Sequence, residues 1–169
     1  SVGAWLTAGH WAATDAATGG VARCIRSHLI GAGAVVSCAS MAEGRVLRWS
    51  ATCAGATLVI WNVHNFGIAQ NRATELAAAL AVDTNLSLER PGRHLTVALG
   101  DWNCFAPGER RHDYSAPTHR AAHSGCNGSN AWTGILGRML DIDHGLPTHF
   151  SRAGGTGSRI DRIHLAVPG

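Results

Sequence analysis

The sequence predicts an α/β fold, and three observations carry that prediction. First, three apolar runs of strand length each carry polar groups at one end: Ile60 to Gly67 (IWNVHNFG), His94 to Asn103 (HLTVALGDWN) and Ser158 to Val167 (SRIDRIHLAV). Second, the first two runs are separated by a stretch with helical spacing, Gln70 to Leu88, so strand, helix and strand form a crossover unit joining neighbouring strands. Third, residues 43–64 read as two strands around the turn-forming Cys53-Ala54-Gly55, a hairpin. The 169 residues are 46% apolar and 15% charged, which fits one folded domain with a substantial core.

Taken in order, residues 1–18 are small and mildly apolar, with Trp5 and Trp11 and no strong period. Gly19-Gly20 leads into a strand from Val21 to Arg26, and residues 33–39, with Ala34, Val35 and Val36, form the next. Glu43 to Ala51 alternates and is the first hairpin arm; Ala56 to Phe66 is the second. In the helix, Glu75, Leu76, Ala79, Leu80 and Asp83 carry the spacing, and the many alanines favour it. Arg72 and Glu75 are placed to pair at i, i+3. Pro91-Gly92 ends this segment. In the following strand Leu95, Val97 and Leu99 alternate with Thr96 and Ala98, the pattern of a half- or fully buried strand. Cys104 to Asn130 is polar, rich in Gly and Pro, and reads as a long loop. Ala131 to Asp141 reads as a short helix. Thr148 to Ser151 and Ile160 to Val167 are the last strands, split by a Gly-rich turn.

The composition also excludes some classes. No apolar run reaches the roughly 18 residues of a membrane span, and the N-terminus lacks the basic-then-apolar order of a secretory signal. The net charge is +3 and every basic residue is Arg, whose planar fork suits phosphate oxygens. That balance permits nucleic-acid binding without demonstrating it. Cys24, Cys38, Cys53, Cys104 and Cys126 are odd in number and contain no CxxC, as expected of reduced thiols in an intracellular protein.

Chemistry concentrates at the strand ends. Asp101 and Asn103 stand two apart; if the backbone stays extended they project to one side, a carboxylate and a carboxamide suited to a hard cation or a phosphate. The plain alternative is an Asx-type turn. Asn62 and His64 share a strand face, and a His there can take a proton or hydrogen-bond a phosphate. Asp161 opens the last strand; its alternative is a surface pair with Arg159 or Arg162. Arg45 either reaches a phosphate or is a solvated strand-start arginine. His119 and His123, with Cys126 or Cys104, offer a zinc-like set, but the spacing matches no standard finger and the loop is expected to be metal-free.

The trio N-x-H (Asn62, His64), GD-x-N (Asp101, Asn103) and S-R-I-D-R-I (Asp161), in that order, resembles the endonuclease/exonuclease/phosphatase superfamily. Gly19-Gly20-Val21-Ala22 and Glu43-Gly44-Arg45 are similar to the family's pattern as well, so the resemblance runs from about Gly19 to Leu165. It implies a deoxyribonuclease-like two-sheet α/β sandwich flanked by helices, with residues 1–169 as a single partial domain. It also implies magnesium- (or manganese-) dependent phosphodiester hydrolysis with nucleic acid as the partner. In the implied site Asp101 orients or deprotonates water, and Asn103 binds phosphate or, with Asp101, the metal. Asn62 and His64 line the phosphate pocket, and Asp161 orients a catalytic His. The Arg-only basic set and Asn62 to Gly67 are similar to retrotransposon-type endonucleases, which implies an intracellular and in particular a nuclear location. A phosphomonoesterase for a small molecule or lipid headgroup is the alternative enzyme; a non-catalytic truncated retroelement remnant is the alternative of another class.

Two family pieces have no counterpart here: a metal-binding Glu in a Q-E strand and a terminal S-D-H. The first Glu is Glu43, and the sequence stops at Gly169. The domain is therefore expected to be incomplete at both ends, weakly active and poorly soluble by itself, with Val21, Ile25, Ile160, Ile163 and Leu165 underpacked.

Overall fold

The computed structural model describes residues 5–11, 20–26, 30, 33–42, 44–103, 110–113, 119–121, 129–142, 146–151 and 156–168. In chain order the elements are β1 Trp5–Trp11, β2 Gly20–Arg26, β3 Val35–Ala42, β4 Val46–Cys53, β5 Ala56–His64, α1 Gln70–Glu89, β6 His94–Asp101, β7 Arg110–Asp113, β8 His119–Ala121, α2 Ser129–Leu136, β9 Leu140–Asp141, β10 His149–Ser151, β11 Thr156–Ser158 and β12 Asp161–Ala166. A six-stranded sheet runs β3-β4-β5-β6-β12-β9, a four-stranded one runs β10-β11-β7-β8, and β1 pairs with β2.

The hairpin forms where the sequence places it. Ala54 and Gly55 both take positive φ (50° and 76°), as a two-residue turn matched to strand twist requires. β5 and β6 are the parallel pair of the sheet, and α1 is the crossover between them. One stripe of α1, Ala73, Leu76, Ala77, Leu80, Asp83, Thr84 and Ser87, is buried. It meets the sheet face made by Val59, Trp61, Val63, Ala98 and Ala166, with Trp102 and with Trp132 of α2. Asp83 is buried without strain because it is fully satisfied. Arg48 Nε and Nη2 donate to its two oxygens at 2.8 Å each, and Trp61 Nε1 donates to Oδ2 at 2.8 Å. A buried carboxylate needs such partners to remain charged.

Several expectations are corrected. Trp5–Trp11 is a strand, stabilised by antiparallel pairing with β2 rather than by any periodicity of its own. The third strand extends to Ala42 and carries an irregularity between Ser40 and Ala42. The stretch from Cys104 to Asn130 contains β7 and β8 and the start of α2. The second helix stops at Leu136, and Leu140–Asp141 pairs with β12 as β9. The Gly-rich turn contains β11. Residues 104–109 and 122–128, which carry Cys104, His123 and Cys126 of the zinc-like set, lie outside the described residues.

β6 is half-buried, and its more deeply buried face is the one with the smaller side chains. Thr96 and Ala98 are fully buried beneath α1, whereas Leu95 is 38% exposed and Val97 and Leu99 are half-buried. The small residues face the helix because Trp61 fills that layer beside Ala98. Thr96 is tolerated there because its hydroxyl donates to Asp83 O at 3.0 Å and pairs with Ser87 Oγ at 2.8 Å. Of the residues expected to be underpacked, Ile163 is exposed and Leu165 half-buried, whereas Ile160 is buried; the side chains of Val21 and Ile25 lie outside the description.

Candidate active site

Strand register brings three of the candidate residues into one row. His64 of β5 lies opposite Asp101 of β6, and Asp101 lies opposite Asp161 of β12. Residues directly opposite across a sheet project to the same face, and adjacent strands are about 4.8 Å apart, so the row spans roughly 10 Å. Asn62 lies one pleat back on the same face, opposite Leu99. This is the face away from α1: Val63 and Arg162 are buried, whereas His64 and Asp101 are half-buried and Asp161 is exposed. Asp161 is exposed because its strand begins there, at the rim.

Gly100 makes the parallel pairing possible. Its φ is +130°, and a Cβ there would stand 2.0 Å from the Val63 carbonyl oxygen. A side chain at residue 100 would push β6 away from β5 and break the row next to it.

The backbone does not stay extended from Asp101 to Asn103. β6 ends at Asp101, and Asn103 has φ +47°, a left-handed conformation that Asn tolerates better than most residues. The chain turns, and the Asn103 backbone N–H donates to Asp101 Oδ1 at 2.9 Å. This is the Asx-type turn, the plain alternative for these residues. One carboxylate oxygen is held by the backbone, which fixes the plane of the carboxylate and leaves Oδ2 for other partners.

Trp102, between the two, is the anchor. Its side chain is fully buried, edge-on to Trp132 (centroids 5.2 Å) and to His164 (5.7 Å). Its backbone N–H donates to Ile160 O at 2.9 Å. Asn65 completes the clamp: its backbone N–H donates to Asp101 O, its Nδ2 donates to Trp102 O, and its Oδ1 accepts from Trp132 Nε1 at 3.1 Å. Sequence reasoning did not single out Asn65; a polar residue directly after a strand's catalytic-looking end was its one local signal.

Arg45 is not simply solvated. Its Nη1 lies 3.1 Å from His64 Nδ1. Guanidinium nitrogens only donate, so Nδ1 accepts and the ring proton sits on Nε2 while this bond stands. Phe66 stacks on His64 (centroids 6.3 Å, 19° between planes), and the Arg45 guanidinium carbon is 5.6 Å from the Phe66 centroid. Beyond Asp161, the Thr148 hydroxyl accepts from the N–H groups of Ile160 and Asp161 at 3.1 and 2.9 Å. Arg159 and Arg162, which flank Asp161 in sequence, both reach the Asp141 carboxylate of β9, Arg162 at 3.1 Å.

Among the described residues no three His, Cys, Asp or Glu side chains are grouped to hold a metal ion. The donors at the row are nevertheless of the kind magnesium takes: carboxylate and carboxamide oxygens, one or two of which suffice for an ion that retains several waters.

This architecture is the deoxyribonuclease-like fold of the endonuclease/exonuclease/phosphatase proteins. Its solved neighbours include the endonuclease domain of TRAS1, a telomere-specific non-LTR retrotransposon, with TM-score 0.59 and 13% identity over 95% of this chain and 64% of that one. An AP endonuclease from Archaeoglobus fulgidus superposes with TM-score 0.51 and 17% identity, covering 96% of this chain and 66% of that one. The 3′ phosphatase NExo from Neisseria, bound to product DNA hairpin, gives TM-score 0.50 and 21% identity, with 97% and 67% covered. The chain thus spans a little under two thirds of the length of the first of these neighbours. No family model and no curated protein matches the sequence itself.

Proposed function

We propose that this chain carries the phosphodiesterase chemistry of its fold, metal-dependent and directed at nucleic acid. The observation that carries the reading is the row His64, Asp101 and Asp161, with Asp101 oriented by the turn at Asn103. Asp101 Oδ2 polarises the attacking water and takes its proton; the bond from Asn103 N–H keeps the carboxylate in position to do so. His64, protonated on Nε2 and held by Arg45, donates to a non-bridging phosphate oxygen, and the Asn103 carboxamide donates to another as charge builds. Asn62 flanks the same phosphate from one pleat back. Asp161 lies at the rim, where it positions a proton-carrying group rather than meeting the phosphate first. Asp101 and Asn103 are the oxygen donors that would hold Mg²⁺ or Mn²⁺, which when bound neutralises the phosphate and the leaving oxygen. Support for a nucleic-acid substrate comes from the neighbours that are named as endonucleases and from the one bound to a DNA hairpin.

The experiment is plasmid nicking with Mg²⁺ or Mn²⁺ against EDTA, using residues 1–169 and a version extended at both ends. Metal-dependent nicking is expected, and Asp101→Asn should lower its rate about 10²–10⁴-fold with little change in DNA affinity. Nicking by neither form, with DNA still bound, would replace this reading by that of a phosphate-binding remnant. Nicking that survives Asp101→Asn would remove Asp101 from the mechanism.

A further inference from the structure

Phe66 has no part in the chemistry above, yet it stands two residues beyond His64 and is 62% exposed. It is not a loosely placed ring. It stacks on His64 and lies beside the Arg45 guanidinium, and these two groups are joined to each other at 3.1 Å. The chain beneath it is pinned by Asn65, which is 3% exposed and bonded to Trp102 and Trp132. Gly67, with φ +73°, turns the backbone immediately afterwards. The result is a flat apolar ring, fixed in place, open to water and set next to a cation and the proposed phosphate site.

A ring held in that way has its hydration cost already incurred and its rotamer already fixed, so a flat ligand that covers it gains affinity with little ordering. The ligand must also carry a phosphate within reach of His64 and Asp101. A nucleobase meets both conditions: it presents a π-face and is tethered to a phosphate through one sugar. An acyl chain or a small sugar phosphate has no planar face to offer.

We propose that Phe66 is a stacking platform for one unstacked nucleobase adjoining the phosphate that His64 and Asp101 engage, a proposal that rests on the phosphodiester reading. Within a duplex both faces of a base are covered by its neighbours, so the platform selects single-stranded, frayed or extruded nucleotides.

The test is fluorescence anisotropy in EDTA, with a labelled ten-residue oligothymidylate and an abasic strand of the same phosphate count. Phe66→Ala should weaken oligothymidylate binding about 5- to 100-fold and leave the abasic strand unchanged, the range found for loss of one base–aromatic stack. Phe66→Trp should retain binding, and Phe66→Leu, which keeps apolar bulk without a π-face, should lose it. Equal binding by wild type and Phe66→Leu, or an equal loss on both strands, overturns the platform. The phosphodiester reading fails separately, through Asp101→Asn nicking, so the two results are distinguishable.

Discussion

Lowering the pH should destabilise this fold through one residue, His164. The side chain is 5% exposed and neither ring nitrogen has a hydrogen-bond partner. Burial disfavours the imidazolium, and although Asp141 works against this, Arg162 and Arg159 add to it; the pKa falls from the ordinary 6.5 to about 4. The sign follows from proton linkage. The folded state holds the ring neutral, and the unfolded chain protonates it near 6.5. The contribution is therefore present above about pH 6.5 and is lost as the pH falls toward 4. Between pH 7.5 and pH 5 these two values remove about 2 kcal/mol. Asp141, shifted down, titrates below that window, while His94, also lowered by desolvation, adds a slope of the same sign. Urea unfolding of wild type and His164→Phe at several pH values separates the contributions. The Phe ring fills nearly the same volume and keeps the edge-on contact with Trp102, but cannot take a proton. Wild type should lose about 2 kcal/mol more than the variant over that range. Parallel pH curves for the two proteins would show that His164 finds a partner for its proton in the fold, and the argument from burial would fail.

Two further perturbations probe the scaffold. Gly100→Ala should separate β5 from β6 at Val63, lowering stability by several kcal/mol and abolishing the His64–Asp101 alignment, read by thermal unfolding and by loss of metal-dependent nicking. Asp83→Ala leaves Trp61 Nε1 and the Arg48 guanidinium without their acceptor, at a cost of about 3 kcal/mol in urea unfolding; Asp83→Asn, which keeps acceptor oxygen for one of the two donors, should cost less.

Much of the fold was legible because it is local. The Cys53-Ala54-Gly55 turn, the Gln70 helix and the crossover to β6 rest on turn residues and periodicity within short windows. β1 and β9 were not legible, since their strand state comes from a partner distant in sequence. Alternation along β6 revealed two faces without telling which one α1 would cover; Trp61 decided that from another strand. The candidate row was legible as three separate strand ends, and the fold sets His64, Asp101 and Asp161 opposite one another. The turn at Asn103 and the clamp by Asn65 depend on a backbone angle and on bonds to Trp102 and Trp132, which no spacing rule reports.

The burial of Trp102 makes the site's precision a property of the interior. Asp101 and Asn103 flank a residue whose ring is gripped by α2 and β12 and whose backbone carbonyl is held by Asn65 after β5. They move only as far as that grip allows. Undocking α2 would release Trp132 from both Asn65 and Trp102, and the carboxylate would lose its aim while the sheet stayed paired. The temperature at which function is lost would then be that of one short helix's attachment, below that of the domain's unfolding.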